Sequence, residues 1–393
     1  MPKKKKGFGK FVMALMGLVI GIVGSFYGLI WITIPNTEDV SVSDETYYSK
    51  SENKVDGSID IADADISIHF LELGNKYTGD CTYIKAGDVD ILIDCGSKSN
   101  SVSTISSYLK NYVTDGVLEY VIVSHAHQDH YAGFATSSKI DGIFDLFKCE
   151  TIIDFTGTAT GKADTIMFKN YDAKLKKAIE GGAKHYTALD CIEETNGAKS
   201  TFDLSSNITL NILDSYYYKN PDKSNENNNS VCCMFTQQVS PDESKNFLFT
   251  GDLEKVGEKY LCEMNNLPTV ELYKAGHHGS RTSSSKEFID IIQPKTVCVC
   301  CCAGSSEYTT TPANQFPTQE FITNVGVWTD EIYVTTMCID YKNNEFTSFN
   351  GNIVYLSTGS GYNVKCSNNS IFLKDSKWFK ESGRIWPEAQ SVA

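Results

Sequence analysis

The chain has 393 residues, with 35 basic against 49 acidic side chains and a formal charge of −14. The first ten residues hold five lysines and no acid, which leaves −19 on the rest (30 basic, 49 acidic). Such a surface repels a polyanion and disfavours non-specific nucleic-acid binding through a basic patch. Thirteen cysteines, an odd number, do not suggest a disulfide framework. Cys232-Cys233 and Cys300-Cys301-Cys302 lie in apolar runs and read as small buried side chains.

In chain order, residues 1–10 are a basic segment and residues 11–34 carry no charge. At ~1.5 Å per residue that stretch spans a bilayer core, and it exceeds the apolar region of an ordinary cleaved signal. Lys3 to Lys6 and Lys10 flank it on one side only, which places the N-terminus in the cytoplasm and the remainder outside. The expectation is a single-pass, membrane-anchored protein with an extracytoplasmic body. Residues 35–64, acidic and serine-rich after Pro35, read as a linker. Residues 65–365 read as one α/β body and 366–393 as an unassigned tail.

Within the body, apolar and alternating runs predict strands at 66–73, 81–85, 89–94, 119–124, 207–213, 231–237, 246–250, 296–302 and 331–336. Helical patterns fall at Ser101–Tyr112, Thr165–Glu180, Leu253–Met264, Ser283–Ile292 and Thr318–Asn324. This mixture predicts two sheets packed face to face with helices outside, an αββα sandwich, preceded by one transmembrane helix.

The chemistry concentrates in two loops. Tyr120-Val-Ile-Val123 reads as a buried strand; Ser124 leaves it, and His125-Ala-His127-Gln-Asp129-His130 follows. Imidazole nitrogen and carboxylate oxygen are ligands of zinc and similar ions, and no packing need calls for three histidines there. Leu272-Tyr-Lys is a second short strand, followed by Gly276-His277-His278-Gly279-Ser280. Five of the seven histidines fall in these loops; His69 and His185 read as structural. Asp252 ends a third apolar run, Phe247-Leu-Phe-Thr-Gly-Asp252.

Together with Ile68-His-Phe-Leu-Glu-Leu-Gly74, Gly79-Asp-Cys81 and Ile91-Leu-Ile-Asp-Cys-Gly96, these motifs resemble the metallo-β-lactamase-fold hydrolase superfamily. The branch they look like includes ComEC-type competence hydrolase domains and phosphorylcholine esterases. The resemblance covers about residues 65 to 360. It implies two divalent ions, zinc or else manganese, held by His125, His127, Asp129, His130, Asp252 and one of His277 and His278, with His278 favoured as ligand. Asp129, His277 and His278 are the candidate catalytic groups, and the non-ligating histidine would serve the leaving group. Lys274, Ser280 and Arg281 border the second loop as candidate contacts to an anionic substrate. Asp80 and Asp94 are candidates for orienting ligand imidazoles.

Two departures qualify the resemblance. Phe316 stands where the branch carries a histidine before proline, and ComEC-type domains often have aspartate where His127 stands. A further histidine ligand common in the superfamily has no clear counterpart; Asn227-Asn-Asn-Ser230 occupies that interval. The leading activity implied is phosphodiester hydrolysis on a small or zwitterionic phosphoester. The alternatives are a carbonyl ester, lactone or lactam hydrolase and a catalytically weak surface-binding module.

Overall fold

The computed structural model describes residues 59–389, except Ser138, Thr156 and Ala159. The expected membrane span at 11–34 lies outside these residues, as do the basic segment and most of the linker. Among the described residues no helix is long and apolar enough to cross a membrane.

Among the described residues, sixteen strands form two eight-stranded sheets. The first contains β1 (Ile66–Phe70), β2 (Thr82–Ala86), β3 (Val89–Ile93), β4 (Val117–Ile122), β5 (Lys148–Asp154) and β6 (Lys184–Thr187). The second runs in unbroken chain order from β7 (Thr201–Asp203), β8 (Ile208–Ile212), β9 (Cys233–Ser240) and β10 (Glu243–Phe249) to β11 (Leu272–Lys274), β12 (Thr296–Ala303), β13 (Ile332–Asp340) and β14 (Glu345–Ser348). The chain then returns to the first sheet, where β15 (Ile353–Thr358) pairs with β1 and β16 (Gly361–Cys366) forms the edge.

Strand alternation builds the layers. In β1, Ile66, Ile68 and Phe70 face one way and Ser67 and His69 the other. Phe70 stacks on Phe249 across the sheets at 6.3 Å, and Phe247 meets Tyr355 at 5.8 Å. Beneath the helix Ser101–Leu109, buried His69 has both ring nitrogens occupied, by the Tyr108 hydroxyl at 2.7 Å and Ser67 Oγ at 2.9 Å. Burial pushes its pKa down to about 3, so it is a neutral structural histidine. The other outlier, His185, sits mid-strand in β6 and contacts Asp154 Oδ1 at 2.8 Å.

Ten of the thirteen cysteines are buried, and Cys262, Cys338 and Cys366 are half-buried. In β12, Cys298 and Cys300 pack between the sheets, while Val297, Val299 and Cys301 pack on the outer side against Phe288, Ile289 and Phe321. All thirteen are free thiols.

Several expected boundaries shift for a local reason. Thr165 and Thr318 are caps rather than helical residues: their hydroxyls accept from the backbone N–H of Phe168 and Phe321. The predicted strands include none at β5, β6, β7, β14, β15 or β16. β6 and β7 are short, polar edge strands defined by their pairing rather than by any pattern. The 366–393 segment, unassigned from sequence, continues as packed structure as far as Pro387: Leu373 and Phe379 are buried, Trp386 meets Phe379 at 5.6 Å, and Pro387 lies against Gly326.

Candidate metal centre

Four loops at the C-terminal ends of parallel-paired strands build the site. Asp94 follows β3, and its φ of +59° turns its carboxylate under the neighbouring loop. The Ser124 N–H and hydroxyl donate to its two oxygens, both at 2.7 Å, and the His130 Nδ1–H donates to Oδ2 at 2.8 Å. One carboxylate therefore anchors both the start and the end of the histidine motif.

His127 is extended (φ −98°, ψ 147°) and precedes the helical turn Gln128–Tyr131, which carries Asp129 and His130. The backbone of that turn is clamped: Asp80 N–H donates to Asp129 O at 2.9 Å and Cys95 N–H to His130 O at 2.6 Å. Gly96 is required at this clamp, since a Cβ there would lie 1.6 Å from Asp129 O.

The second half supplies the other wall. β10 runs into Gly251, in the left-handed region at φ +54°, where a Cβ would crowd Ser124 and Ser230 at 2.9 Å. Asp252 follows, its N–H donating to Ser230 Oγ at 3.1 Å. After β11, His277 (φ 46°, ψ 47°) and His278 (φ 55°, ψ 24°) are consecutive left-handed residues. That conformation costs about 1–2 kcal/mol for each non-glycine residue, and it aims both imidazoles toward Asp252.

The loops converge. Asp252 Oδ2 lies 3.1 Å from His130 Nε2, 3.3 Å from His278 Nε2 and 3.8 Å from His277 Nε2; Asp129 Oδ2 lies 3.4 Å from His278 Nε2. Ligands of a tetrahedral ion with ~2.1 Å bonds are separated by about 3.4 Å, so this spacing matches the edges of a zinc-like coordination shell. His125 Nε2 and His127 Nδ1 converge similarly, at 3.0 Å, and the His125 and His130 rings are 4.2 Å apart.

The donor chemistry fits an ion. The Nε2 atoms of His130 and His278 are buried without a hydrogen bond, as is Asp252 Oδ1. His278 Nδ1 lies 2.9 Å from the Cys300 carbonyl, which only accepts. That nitrogen therefore carries the proton, and in the neutral ring the Nε2 lone pair faces the cage. Burial and the neighbouring His130 and His127 hold His125 well below the usual histidine range, and burial then Lys162 lower His127. Burial opposes the charged form of His130, but Asp252, Asp94 and Asp80 together raise it to about 10. Three carboxylates thus surround the His130 ring, Asp252 on its Nε2 side and Asp94 and Asp80 on its Nδ1 side.

Asp80, His130, Asp252 and His278 offer atoms within 4.8 Å of one another. Asp80, however, lies behind the rings, 3.2 Å from His278 Nδ1 and 3.6 Å from His130 Nδ1, whereas Asp129 and Asp252 face the Nε2 atoms. Proximity groups Asp80 with the cage; ring orientation groups Asp129 with it instead, and orientation decides where lone pairs point.

The remaining expected contacts are dispersed. Lys274, expected at the loop border, is 3 % exposed and ion-paired to Asp80. Ser280 is buried, its Oγ accepting from the Thr282 N–H at 3.2 Å. Arg281 is exposed and donates to Asn314 at 3.4 Å. Three neighbours escaped sequence reasoning. The Tyr308 hydroxyl donates to Asp129 Oδ2, Lys162 acts electrostatically on His127, and Glu254 faces His277 Nδ1 at 3.5 Å. Phe316, in place of the branch's histidine, packs about equally on the His277 and His278 rings, at 5.9 and 6.0 Å. Asp129 and His277 are the more exposed members of the cage, so the site opens on their side.

Residues 74–140 match the family profile described as Metallo-beta-lactamase superfamily. Over 82 residues, 20 % of this chain, the sequence is 42 % identical to ComE operon protein 3 of Bacillus subtilis; the match spans 10 % of that protein's length. Similar solved structures include the metallo-beta-lactamase fold protein YhfI from Bacillus subtilis, with 13 % identity, 70 % of this chain and 96 % of that one covered, and a TM-score of 0.37. A class B3 di-zinc metallo-beta-lactamase from an Alaskan soil metagenome overlaps with 14 % identity, 56 % and 69 % coverage, and a TM-score of 0.28.

Proposed function

We propose that this chain, whose residues 74–140 belong to the metallo-β-lactamase superfamily, is a membrane-anchored, extracytoplasmic, binuclear metal-dependent hydrolase of phosphodiesters. The observation that carries the hydrolase reading is the pair of buried, unbonded Nε2 atoms on His130 and His278 facing Asp252. Asp129, His130, Asp252 and His278 would hold one divalent ion, zinc or manganese, and His125 with His127 a second beside it. Bound there, the ions would supply Lewis-acid polarisation and water activation near neutral pH.

The chain's own groups do the rest. Asp94 and the Cys300 carbonyl orient the His130 and His278 rings. Asp252 joins the two halves of the site, and Phe316 shields one side of the histidine pair. His277, at the open side and backed by Glu254, is placed to hydrogen-bond a leaving group.

Support for a phosphodiester comes from the resemblance of the motifs to the ComEC-type and phosphorylcholine-esterase branch. The acidic surface favours a small or zwitterionic phosphoester over a long polyanion. The anchor rests on the uncharged stretch 11–34 and its flanking lysines.

Protein stripped by chelator and reloaded with Zn2+ or Mn2+ is expected to hydrolyse bis-p-nitrophenyl phosphate. Turnover of a chromogenic lactam or lactone alone would transfer the assignment to carbonyl chemistry, and no bound metal would favour a binding module. The protein is expected in the membrane fraction with residues 1–10 intact.

A further inference from the structure

Lys274 ends β11 at the base of the cage. Its Nζ is ion-paired to Asp80 Oδ2, donates to the Gly251 carbonyl at 3.5 Å and lies 3.9 Å from Asp252 Oδ1. Asp80 belongs to the first half of the fold, between β1 and β2; Gly251 and Asp252 belong to the second, after β10. Asp80 has both oxygens buried without a hydrogen bond, so its charge is matched chiefly by the lysine. The Nδ1 edges of His130 and His278, which Asp80 lies against, already have partners in Asp94 Oδ2 and the Cys300 carbonyl.

We propose that Lys274 is a positioning residue: a resident buried cation that ties Asp80 to the Gly251-Asp252 turn, withholds Asp80 from the ligand set, and assembles the cage before any ion enters. The withholding clause rests on the reading that His130, His278 and Asp252 hold an ion. The tie itself does not. Lys274 therefore meets no substrate; its charge is spent inside the protein.

A buried pair has a diagnostic energetic pattern. Removing one partner strands the other charge, whereas removing both together costs far less. Full-length protein and its K274M, D80N and K274M/D80N variants are melted in EDTA and titrated with Co2+, followed by visible absorption. K274M is expected to lower the melting temperature in EDTA by about 5–10 °C. The double variant is expected to recover more than half of that loss and to bind Co2+ with the stoichiometry and spectrum of the unaltered protein.

The proposal is overturned if K274M melts with the unaltered protein, if the double variant melts no higher than K274M, or if its Co2+ spectrum changes, which would make Asp80 a ligand. An unchanged melting temperature with a raised KM would return Lys274 to substrate binding. If K274M fails to fold, a folded double variant supports the tie and an unfolded one overturns it. Unaltered protein that binds no Co2+ overturns the withholding clause. Protein that binds Co2+ but hydrolyses no ester overturns the hydrolase reading alone.

Discussion

The two halves of the molecule repeat one arrangement with different contents. β2 to β6 pair antiparallel once and then parallel three times; β9 to β13 do the same. In both, the site loops leave the second and third strands of the series, at the carboxyl ends where ligand sites gather in parallel sheets. The first half packs its donors into one local motif with His127 extended, and Asp94 and Ser124 steady it from nearby. The second half brings one carboxylate and two histidines whose backbone is left-handed, His278 held by the Cys300 carbonyl of β12 and His277 by Thr282 and Glu254. Equivalent positions in a fold can thus present donor groups by density or by strain.

The largest effect should come from the residue that joins the halves. Asp252→Ala is expected to lower kcat/KM on the phosphodiester by on the order of 10³-fold or more, with loss of bound ion measured by elemental analysis. Full retained activity would remove Asp252 from the site. Next, His127→Ala should reduce metal content and turnover together, by on the order of 10²-fold in rate. Unchanged metal content would confine the first half's contribution to Asp129 and His130.

Asp94→Ala tests whether local steadying matters. Ion affinity, read by competition with a chromophoric chelator, should fall by roughly 10–100-fold, and a smaller loss would show that the clamp on the Asp129 and His130 backbone suffices. The smallest effect probes the strained loop. His277→Gly should relieve the left-handed backbone and raise stability by about 1 kcal/mol in urea unfolding while lowering turnover. A loss of stability would show that contacts of the His277 side chain outweigh its backbone cost.

Legibility tracked distance along the chain. His125 to His130 lie within six residues, so their shared chemistry is visible as a motif. Asp252 and the 277–278 pair are visible as strand-end glycine motifs. The Tyr308 hydroxyl and Asp129 are 179 positions apart and share no pattern. Lys274 looked like a loop border because a lysine at a strand end is usually solvated; only the placement of Asp80 beneath it makes a buried charge tolerable. Edge strands such as β6 and β7 were illegible because pairing, not hydrophobic periodicity, defines them.

By itself the sequence determined the α/β character, the strand-then-loop placement of both histidine motifs, the core role of the clustered cysteines and the donor types on offer. These are local properties, carried by periodicity and by contiguous side chains. The tertiary structure alone decided which donors face one another, that Asp80 sits behind the rings while Asp129 sits before them, and that Lys274 is internal. Those facts depend on ring orientation and on two sheets meeting, and neither is encoded within any one window of chain.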